Sequence, residues 1–124
     1  MKIKYIQASK IIETTTSDES FNEIDSDLAF EILEMETALE SAFKTHDKAV
    51  SKAQREVQEI RSKDEPKESD KKKLIKIAKD VDSIYQKEKE VDIDPFEYGT
   101  GSDRDLKPYL TLKTLRIFKP ILKI

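Results

Sequence analysis

With 124 residues, 40% of them charged, 36% hydrophobic and none of them Trp, the chain has material for one domain with a thin core. That balance favours an elongated helical protein over an enzyme with a deep pocket, and the net charge of −3 gives no general attraction for a nucleic-acid backbone. Cysteine is absent, which excludes disulfides and thiolate zinc sites, and no apolar run approaches the roughly 18 residues of a membrane span.

The N-terminal part predicts short elements. Residues 1–6 alternate apolar side chains with lysine, as a short strand does. Residues 7–13 predict two helical turns, and the hydroxyl residues 14–17 are expected to end them because threonine and serine compete locally for backbone hydrogen bonds. A polar connection then leads to Asp25 or Ser26, either of which can cap the next helix.

The first long helix is predicted to run without interruption from there to about Ser62, because this stretch contains neither Gly nor Pro. Its apolar stripe follows steps of three and four, with one extra residue where Leu39 is followed by Phe43, a stutter that locally relaxes supercoiling. The stripe consists of Leu28, Ile32, Met35, Leu39, Phe43, His46, Val50, Ala53, Val57 and Ile60.

A second helix is predicted after the turn 63–69, which contains Pro66, with Ser69 or Asp70 as its cap and an end near Val91. Two stripes joined by a short polar turn predict antiparallel neighbours. Matching Ile60 to Leu74 sets a register in which the paired residue numbers sum to 134. The other layers are then Val57–Ile77, Ala53–Val81, Val50–Ile84, His46–Glu88 and Phe43–Val91.

The first helix extends beyond the second at its start, so Leu28, Ile32, Met35 and Leu39 require cover from elsewhere. The chain ends are the predicted cover. Residues 91–95 are read as a strand that pairs with residues 2–6, and residues 98–103 as a turn with both glycines. The pattern of 106–124 fits strand or helix; we favour a short strand or turn, then about two helical turns ending before Pro120.

The predicted fold is therefore mainly α within a single domain, residues 1–124. A long antiparallel helical hairpin, a coiled-coil arm of about residues 43–91, projects from a small α+β head. Residues 1–42 and 92–124 form this head.

His46 is the only histidine, and its position in the stripe predicts a polar layer facing Glu88 in the helix seam. A general base or a metal ligand is the alternative, but an arm seam supplies neither a pocket nor a second positioned group. Two other segments are also rejected as functional sites. Lys71–Lys73 are interpreted as a solvated arm tip, and Tyr98–Gly101 lacks the lysine and the following helix of a phosphate loop. We expect no catalytic residue, no cofactor and no metal, and hence no enzyme.

Residues 18–40 carry nine acidic side chains and no Lys or Arg. One interpretation is a surface that imitates a nucleic-acid backbone or binds a basic partner, with Glu31, Glu34 and Glu36 as its candidates. The other is a helix start whose acids favour the dipole and whose outer face is solvated. The basic C-terminal 22 residues, with six basic against two acidic side chains, are available to neutralise this run.

The order of features resembles small bacteriophage- and prophage-encoded helical-hairpin proteins of unknown function. The matching features are the Met-Lys-Ile start, the amphipathic helix from Leu28 to Glu40, the charged hairpin, the segment Glu90–Pro95 and the ending around Leu112–Leu122. The resemblance implies a phage origin, in host cytoplasm or virion, and carries no functional residues with it.

Three functions follow as hypotheses. The first is a non-enzymatic interaction or assembly protein (an adaptor, assembly factor or virion accessory) whose partner is a second copy or a host or virion protein. Its candidate partner-binding residues are Leu28, Ile32, Met35 and Leu39, with Glu31, Glu34 and Glu36. The second is an acidic inhibitor of a host nucleic-acid-handling or defence protein. A structural DNA-binding protein using the basic C-terminus ranks last because of the net charge, and no membrane partner is expected.

Overall fold

The computed structural model describes all 124 residues and is mainly helical with two small sheets, which confirms the predicted fold class at that level. The five α-helices are α1 Tyr5–Ser17, α2 Ser26–Ala42, α3 Lys44–Arg61, α4 Glu68–Tyr85 and α5 Leu112–Phe118. The four strands are β1 Lys2–Lys4, β2 Glu88–Glu90, β3 Phe96–Glu97 and β4 Leu122–Lys123. None of the helices combines the length and apolar content that crossing a membrane requires.

The N-terminal strand is shorter than predicted and pairs with a different segment. β1 is antiparallel to β2, with Lys2 opposite Glu90 and Lys4 opposite Glu88. The predicted strand 91–95 is therefore wrong; the pairing ends where the Val91 N–H donates to the Met1 carbonyl at 2.8 Å. Helix α1 starts directly after β1 and continues through the threonine run, whose hydroxyls donate back to carbonyls of the preceding turn.

The first long helix is broken into α2 and α3 at Phe43, which corrects the prediction of one uninterrupted helix. Asp25 caps α2 as expected, accepting from the N–H groups of Asp27 and Leu28. Phe43 leaves the helical region with φ −106° and ψ 17°, at the place where the stutter adds one residue to the stripe. The break re-aims the chain so that the Phe43 side chain is buried at 2% exposure.

Helix α4 begins at Glu68 and ends at Tyr85, about one and a half turns before the predicted end near Val91. Lys67 takes the cap position that Ser69 or Asp70 was expected to hold. The Asp70 carboxylate lies in the first turn and accepts from the Lys67 N–H and the Lys63 ammonium, both at 3.0 Å. Because Glu88 lies in β2 and Val91 follows it, the two predicted helical layers His46–Glu88 and Phe43–Val91 do not exist.

Helices α3 and α4 pack against each other, with Ile60 and Ile77 buried. Their facing residues line a shared groove in which Ala53 and Val57 come from α3, and Ile77 and Val81 from α4. These are the residues that the predicted register brings together. The layer-by-layer register from Ile60–Leu74 to Val50–Ile84 stays a prediction.

The main hydrophobic core lies around α2, whose stripe residues Leu28, Ile32, Met35 and Leu39 are at most 6% exposed. The cover expected from the chain ends is present in this core. It comprises Ile3, Tyr5, Ala8 and Ile11 from the N-terminal part, and Val91, Phe96, Leu106, Phe118, Ile121 and Leu122 from the C-terminal part. Helix α5 has the two turns favoured by the sequence and ends before Pro120.

A turn with both glycines follows β3, as predicted. Gly99 and Gly101 have φ values of 80° and 73°, a conformation that favours glycine. The Asp105 carboxylate accepts from the backbone N–H groups of Lys107, Gly101 and Gly99 at 2.8–2.9 Å. These hydrogen bonds hold the pKa of Asp105 below its usual range. The backbone donors that an anion would need are thus already occupied by the chain's own carboxylate.

Asp105→Asn is expected to destabilise the protein at neutral pH, because the amide NH₂ cannot accept from a backbone N–H. A carboxyl with a lowered folded pKa stabilises the fold above its unfolded pKa of about 3.9, and this contribution is lost as the pH falls through the folded pKa. The variant should therefore lose less stability than the wild type on acidification. Urea unfolding at neutral pH and at pH values below about 3.9 measures the stability of both proteins. The control is Asp103→Asn, the same change at an exposed neighbouring residue. Equal effects of the two variants would contradict the stabilising role of the Asp105 carboxylate.

Candidate functional site

The predicted partner-binding residues all lie on α2, but they do not form one surface. Leu28, Ile32, Met35 and Leu39 belong to the core and are buried by the chain itself. They cannot contact a partner in this conformation, so the prediction is corrected for these four residues. The physical reason is that the two chain ends complete the core without outside help.

Glu31 is paired within the chain. Its carboxylate accepts from the Arg104 guanidinium, which also donates to the Asp94 carbonyl at 2.8 Å. The guanidinium carbon lies 4.4 Å from the centre of the Phe96 ring, in cation–π geometry. Arg104 therefore ties α2 to the segment before β3. The neutralisation of the acidic run by the basic C-terminal part, foreseen from the sequence, is realised at this residue.

A small cavity of about 220 Å³ lies beside this ion pair. Four carboxylate residues line it, together with Arg104 and apolar side chains. These four are Glu31, Glu34, Asp92 and Asp94. No group of three or more His, Cys, Asp or Glu side chains is placed to hold a metal ion.

The other two candidate glutamates differ from each other. Glu36 is half-buried and accepts a hydrogen bond from the Thr15 hydroxyl of α1. Glu34 is exposed and has no hydrogen bond or ion pair with another side chain. Of the three predicted acidic residues, Glu34 is thus the one that is exposed and has no hydrogen bond or ion pair within the chain.

The outer face of α2 carries a surface that the sequence reading missed. Phe30 is 62% exposed and Leu33 is 56% exposed, although both are large apolar side chains. At 100° per residue they project from the same side of the helix as three exposed acids. The outer face of α2 consists of Asp27, Phe30, Leu33, Glu34, Thr37 and Glu40, and it contains no Lys or Arg.

A signal for this face was present in the sequence. Phe30 and Leu33 are spaced by one helical turn but lie outside the stripe that begins at Leu28. An apolar pair on the face opposite the core stripe is unexplained by folding and is typical of an interaction surface. Beside Leu33, a recess of about 230 Å³ continues the apolar surface toward Phe21 and Ile24.

His46 lies in an aromatic cluster rather than in a seam with Glu88. Its ring centre is 5.1 Å from that of Phe43 and 5.4 Å from that of Tyr5. No hydrogen bond or ion pair joins it to Glu88, and its buried Nδ1 atom has no partner at all. The seam-pair prediction is wrong because Glu88 belongs to β2. Desolvation, with the charges of Lys89 and Lys87, lowers the pKa of His46.

His46→Leu is expected to raise the free energy of unfolding by about 1 kcal/mol near pH 7, because it removes a buried polar atom that lacks a partner. The wild type should lose stability as the pH falls below about 6.5, since the unfolded chain binds the proton more readily than the folded one. The variant should lack this loss. Urea unfolding at two pH values measures both effects; a destabilised variant would contradict them.

The Tyr5 hydroxyl in the same cluster donates to the Asp47 carboxylate. Burial, then this bond and the carboxylate charge, raise the pKa of Tyr5 far above its ordinary value. The tyrosine is thereby kept neutral, and it joins α1 to the start of α3. Its stacking on Tyr85, with ring centres 4.9 Å apart, brings the end of α4 into the same cluster. The contacts of Tyr5 thus join α1, α3 and α4 at this cluster.

Comparison of the chain with protein-family models, with curated proteins and with solved structures gives no match.

Proposed function

We propose that this chain is a non-enzymatic protein–protein interaction or assembly protein that binds a basic protein through the outer face of α2. The observation that carries the proposal is the exposure of Phe30 and Leu33 among carboxylates. Large apolar side chains exposed together on a helix are costly in water unless a partner covers them. The acidic rim supplies charge complementarity to a basic surface.

The architecture in this proposal is an arm of α3 and α4 on a head formed by the two ends of the chain. Of the sixteen residues in the main core, Val50 is the single one from residues 44–85. The contact between α3 and α4 and their shared groove support a hairpin. Such a shape places the surface of the arm away from the surface of the head, which suits an adaptor, an assembly factor or a virion accessory.

The phage origin, and the setting in host cytoplasm or virion, are part of the proposal and rest on the resemblance described above. Under it, the partner of the outer face of α2 is a host or virion protein with a basic surface and an apolar recess. The recess would accept Phe30, since a large aromatic side chain in a desolvated pocket is a frequent hot spot of protein interfaces.

The test is capture from host or infected-cell lysate with the full chain immobilised. Three proteins are compared: the wild type, the double variant Phe30→Ala/Leu33→Ala, and the control Leu112→Ala, which truncates a 66% exposed side chain on α5. We expect one basic protein to be retained by the wild type and by the control. The double variant should bind it at least about tenfold more weakly, since hot-spot truncations cost roughly 2 kcal/mol or more.

The same capture at raised ionic strength tests the electrostatic part of the interaction. Retention by the wild type should fall as salt screens the acidic rim. A captured protein that the double variant binds as tightly as the wild type, or one without a basic surface, would contradict the proposal. The proposal would also be contradicted if every protein retained by the wild type were retained equally by the double variant, or if the wild type retained none.

The alternative function is an acidic inhibitor of a host nucleic-acid-handling or defence protein. The observation in its favour is that Glu34 and Glu40 are exposed on a helix within a stretch of sequence, residues 18–40, that contains no Lys or Arg. Glu31 and Glu36, by contrast, have partners within the chain. The inhibitor reading predicts that duplex DNA competes with the chain for the captured protein, and that Glu34→Gln/Glu40→Gln abolishes this competition. Simultaneous binding of DNA and the chain would exclude it.

A further inference from the structure

Two short non-helical links connect α3 and α4 to the rest of the chain. The first link is Phe43, which alone separates α2 from α3. The second link is Gln86 and Lys87, between the end of α4 and β2. The Tyr5 N–H donates to the Lys87 carbonyl at 2.9 Å, and the Tyr5 ring contacts that of Phe43. Both links therefore meet at the start of α1.

Few side chains of α3 and α4 attach these helices to the main core. Val50 is buried in it, and Ile84 and Tyr85 pack against it while half-buried. The Tyr5 side chain adds a hydrogen bond to Asp47 and a ring stack on Tyr85. A body that is attached by a few contacts at one end and by two short links has the geometry of a hinge.

His46 lies between these contacts, in the first turn of α3. Its ring packs against the rings of Tyr5 and Phe43, and its Nδ1 atom is buried without a hydrogen-bond partner. A neutral ring leaves one unsatisfied acceptor at this atom, whereas a protonated ring would bury an unsatisfied donor together with a positive charge. Solvation of the atom requires the ring to leave Tyr5 and Phe43, which belong to α1 and to the first link.

The charged groups around the ring also oppose a positive charge on it. Lys89 of β2 and Lys87 of the second link are both cationic. Asp47 is the acidic group near the ring, and its carboxylate already accepts from the Tyr5 hydroxyl. Tyr5 of α1 and Tyr85 of α4 complete the cluster and add no charge at neutral pH. Burial and then the two lysines lower the pKa of the histidine, so proton uptake favours a state in which its ring is solvated.

We infer that this junction is an acid-operated hinge: when His46 takes up a proton, α3 and α4 turn as one body on the two links and separate from α1. His46 is the only histidine of the chain, and histidine is the side chain that ordinarily changes its charge between about pH 5 and 8. The inference concerns the junction and holds whether or not the outer face of α2 binds a partner.

Thiol protection in single-cysteine variants tests the hinge, since the chain has no cysteine of its own. Val50→Cys places a thiol where α3 meets the main core. The control Val91→Cys makes the same change at a 4% exposed core residue outside α3 and α4. The alkylation rate of each folded variant is divided by the rate of the same variant unfolded in urea at the same pH. This ratio removes the effect of thiol ionisation, because the thiolate is the form that reacts.

The protection of Val50→Cys should fall severalfold between about pH 7.5 and about pH 5.5, and the protection of Val91→Cys should not change. The fall is limited to about tenfold, since pH 5.5 lies about one unit below the ordinary histidine pKa of about 6.5. Adding His46→Leu to Val50→Cys should abolish the fall. Circular dichroism should show the same helical content at both pH values, because α3 and α4 move without unfolding.

Amide hydrogen exchange of the unaltered chain gives the same comparison without a cysteine. The Asp47 N–H donates to the Phe43 carbonyl across the first link, so it should lose protection in acid after correction for the intrinsic effect of pH on exchange. The amides around Met35 in α2 should keep theirs. Equal protection of Val50→Cys at both pH values, an equal loss at Val91→Cys, or a loss that persists after His46→Leu would each overturn the inference.

Discussion

Truncation of Phe43 to alanine is expected to lower the free energy of unfolding by about 3–5 kcal/mol, the range for a fully buried phenylalanine. Phe43 is 2% exposed and contacts the rings of Tyr5 and His46 at the junction of α2 and α3. The truncation would leave a cavity at the place where the N-terminal helix joins both long helices. The free energy of unfolding of a domain is roughly 5–15 kcal/mol, so the expected loss is a large fraction of the total stability.

The control is Phe30→Ala, the same change 13 residues earlier on α2. Phe30 is 62% exposed, so its truncation should change stability by less than about 1 kcal/mol. Urea unfolding followed by circular dichroism compares the two variants. A loss at Phe43 no greater than that at Phe30 would mean that the chain does not fold around the junction described here.

Phe118→Ala is expected to have an effect of similar size, about 3–5 kcal/mol. Phe118 is fully buried on the short helix α5, and its ring stacks on Phe21 with centres 5.4 Å apart. A seven-residue helix has little stability of its own, so the burial of this side chain contributes to holding the C-terminal segment in place, together with buried Ile121 and Leu122. Its loss should expose the part of the α2 stripe that the segment covers.

Leu112→Ala on the same helix is the control, because Leu112 is 66% exposed. Its truncation should cost little, and the fluorescence of an added hydrophobic dye should rise only for Phe118→Ala. If Phe118→Ala unfolds at the same urea concentration as the wild type, the C-terminal segment is not part of the core.

The strongest patterns of the sequence were sufficient to predict the helices themselves. The stripe from Leu28 to Leu39, the cap at Asp25 and the turn around Pro66 each have a local physical cause, and the structure has the corresponding elements. The helix α5 was likewise predictable from the repeat that begins at Leu112, since Pro120 limits its length.

The predicted helix boundaries were wrong where a contact between residues far apart in the sequence determined the structure. The stutter after Leu39 was visible, but the burial of Phe43 against Tyr5 and His46 is what turns it into a break between two helices. Residues 86–91 have no signal that stops a helix, and they leave it because Glu88–Glu90 pair with the N-terminal strand. That pairing joins segments more than eighty residues apart, which local patterns do not report.

The candidate site was predicted on the right helix but on the wrong face. The stripe was expected to need a partner because nothing in the sequence shows how completely the chain ends would cover it. Because the chain ends cover the stripe, the large apolar residues of α2 that remain exposed are Phe30 and Leu33, which are not part of the core. Glu34 is the predicted residue that remains on the exposed face, whereas Arg104 and Thr15 engage Glu31 and Glu36.

We expect the stability of this chain to reside in the core that α2 shares with both chain ends, while α3 and α4 remain open along their groove. Native-state amide hydrogen exchange on dilute protein tests it directly. The slowest-exchanging amides should lie in α2 around Met35 and Leu39 and in α1 around Ile11. The amides of α3 and α4 near the turn at residues 62–67 should exchange much faster. Protection near that turn equal to the protection of α2 would contradict the claim.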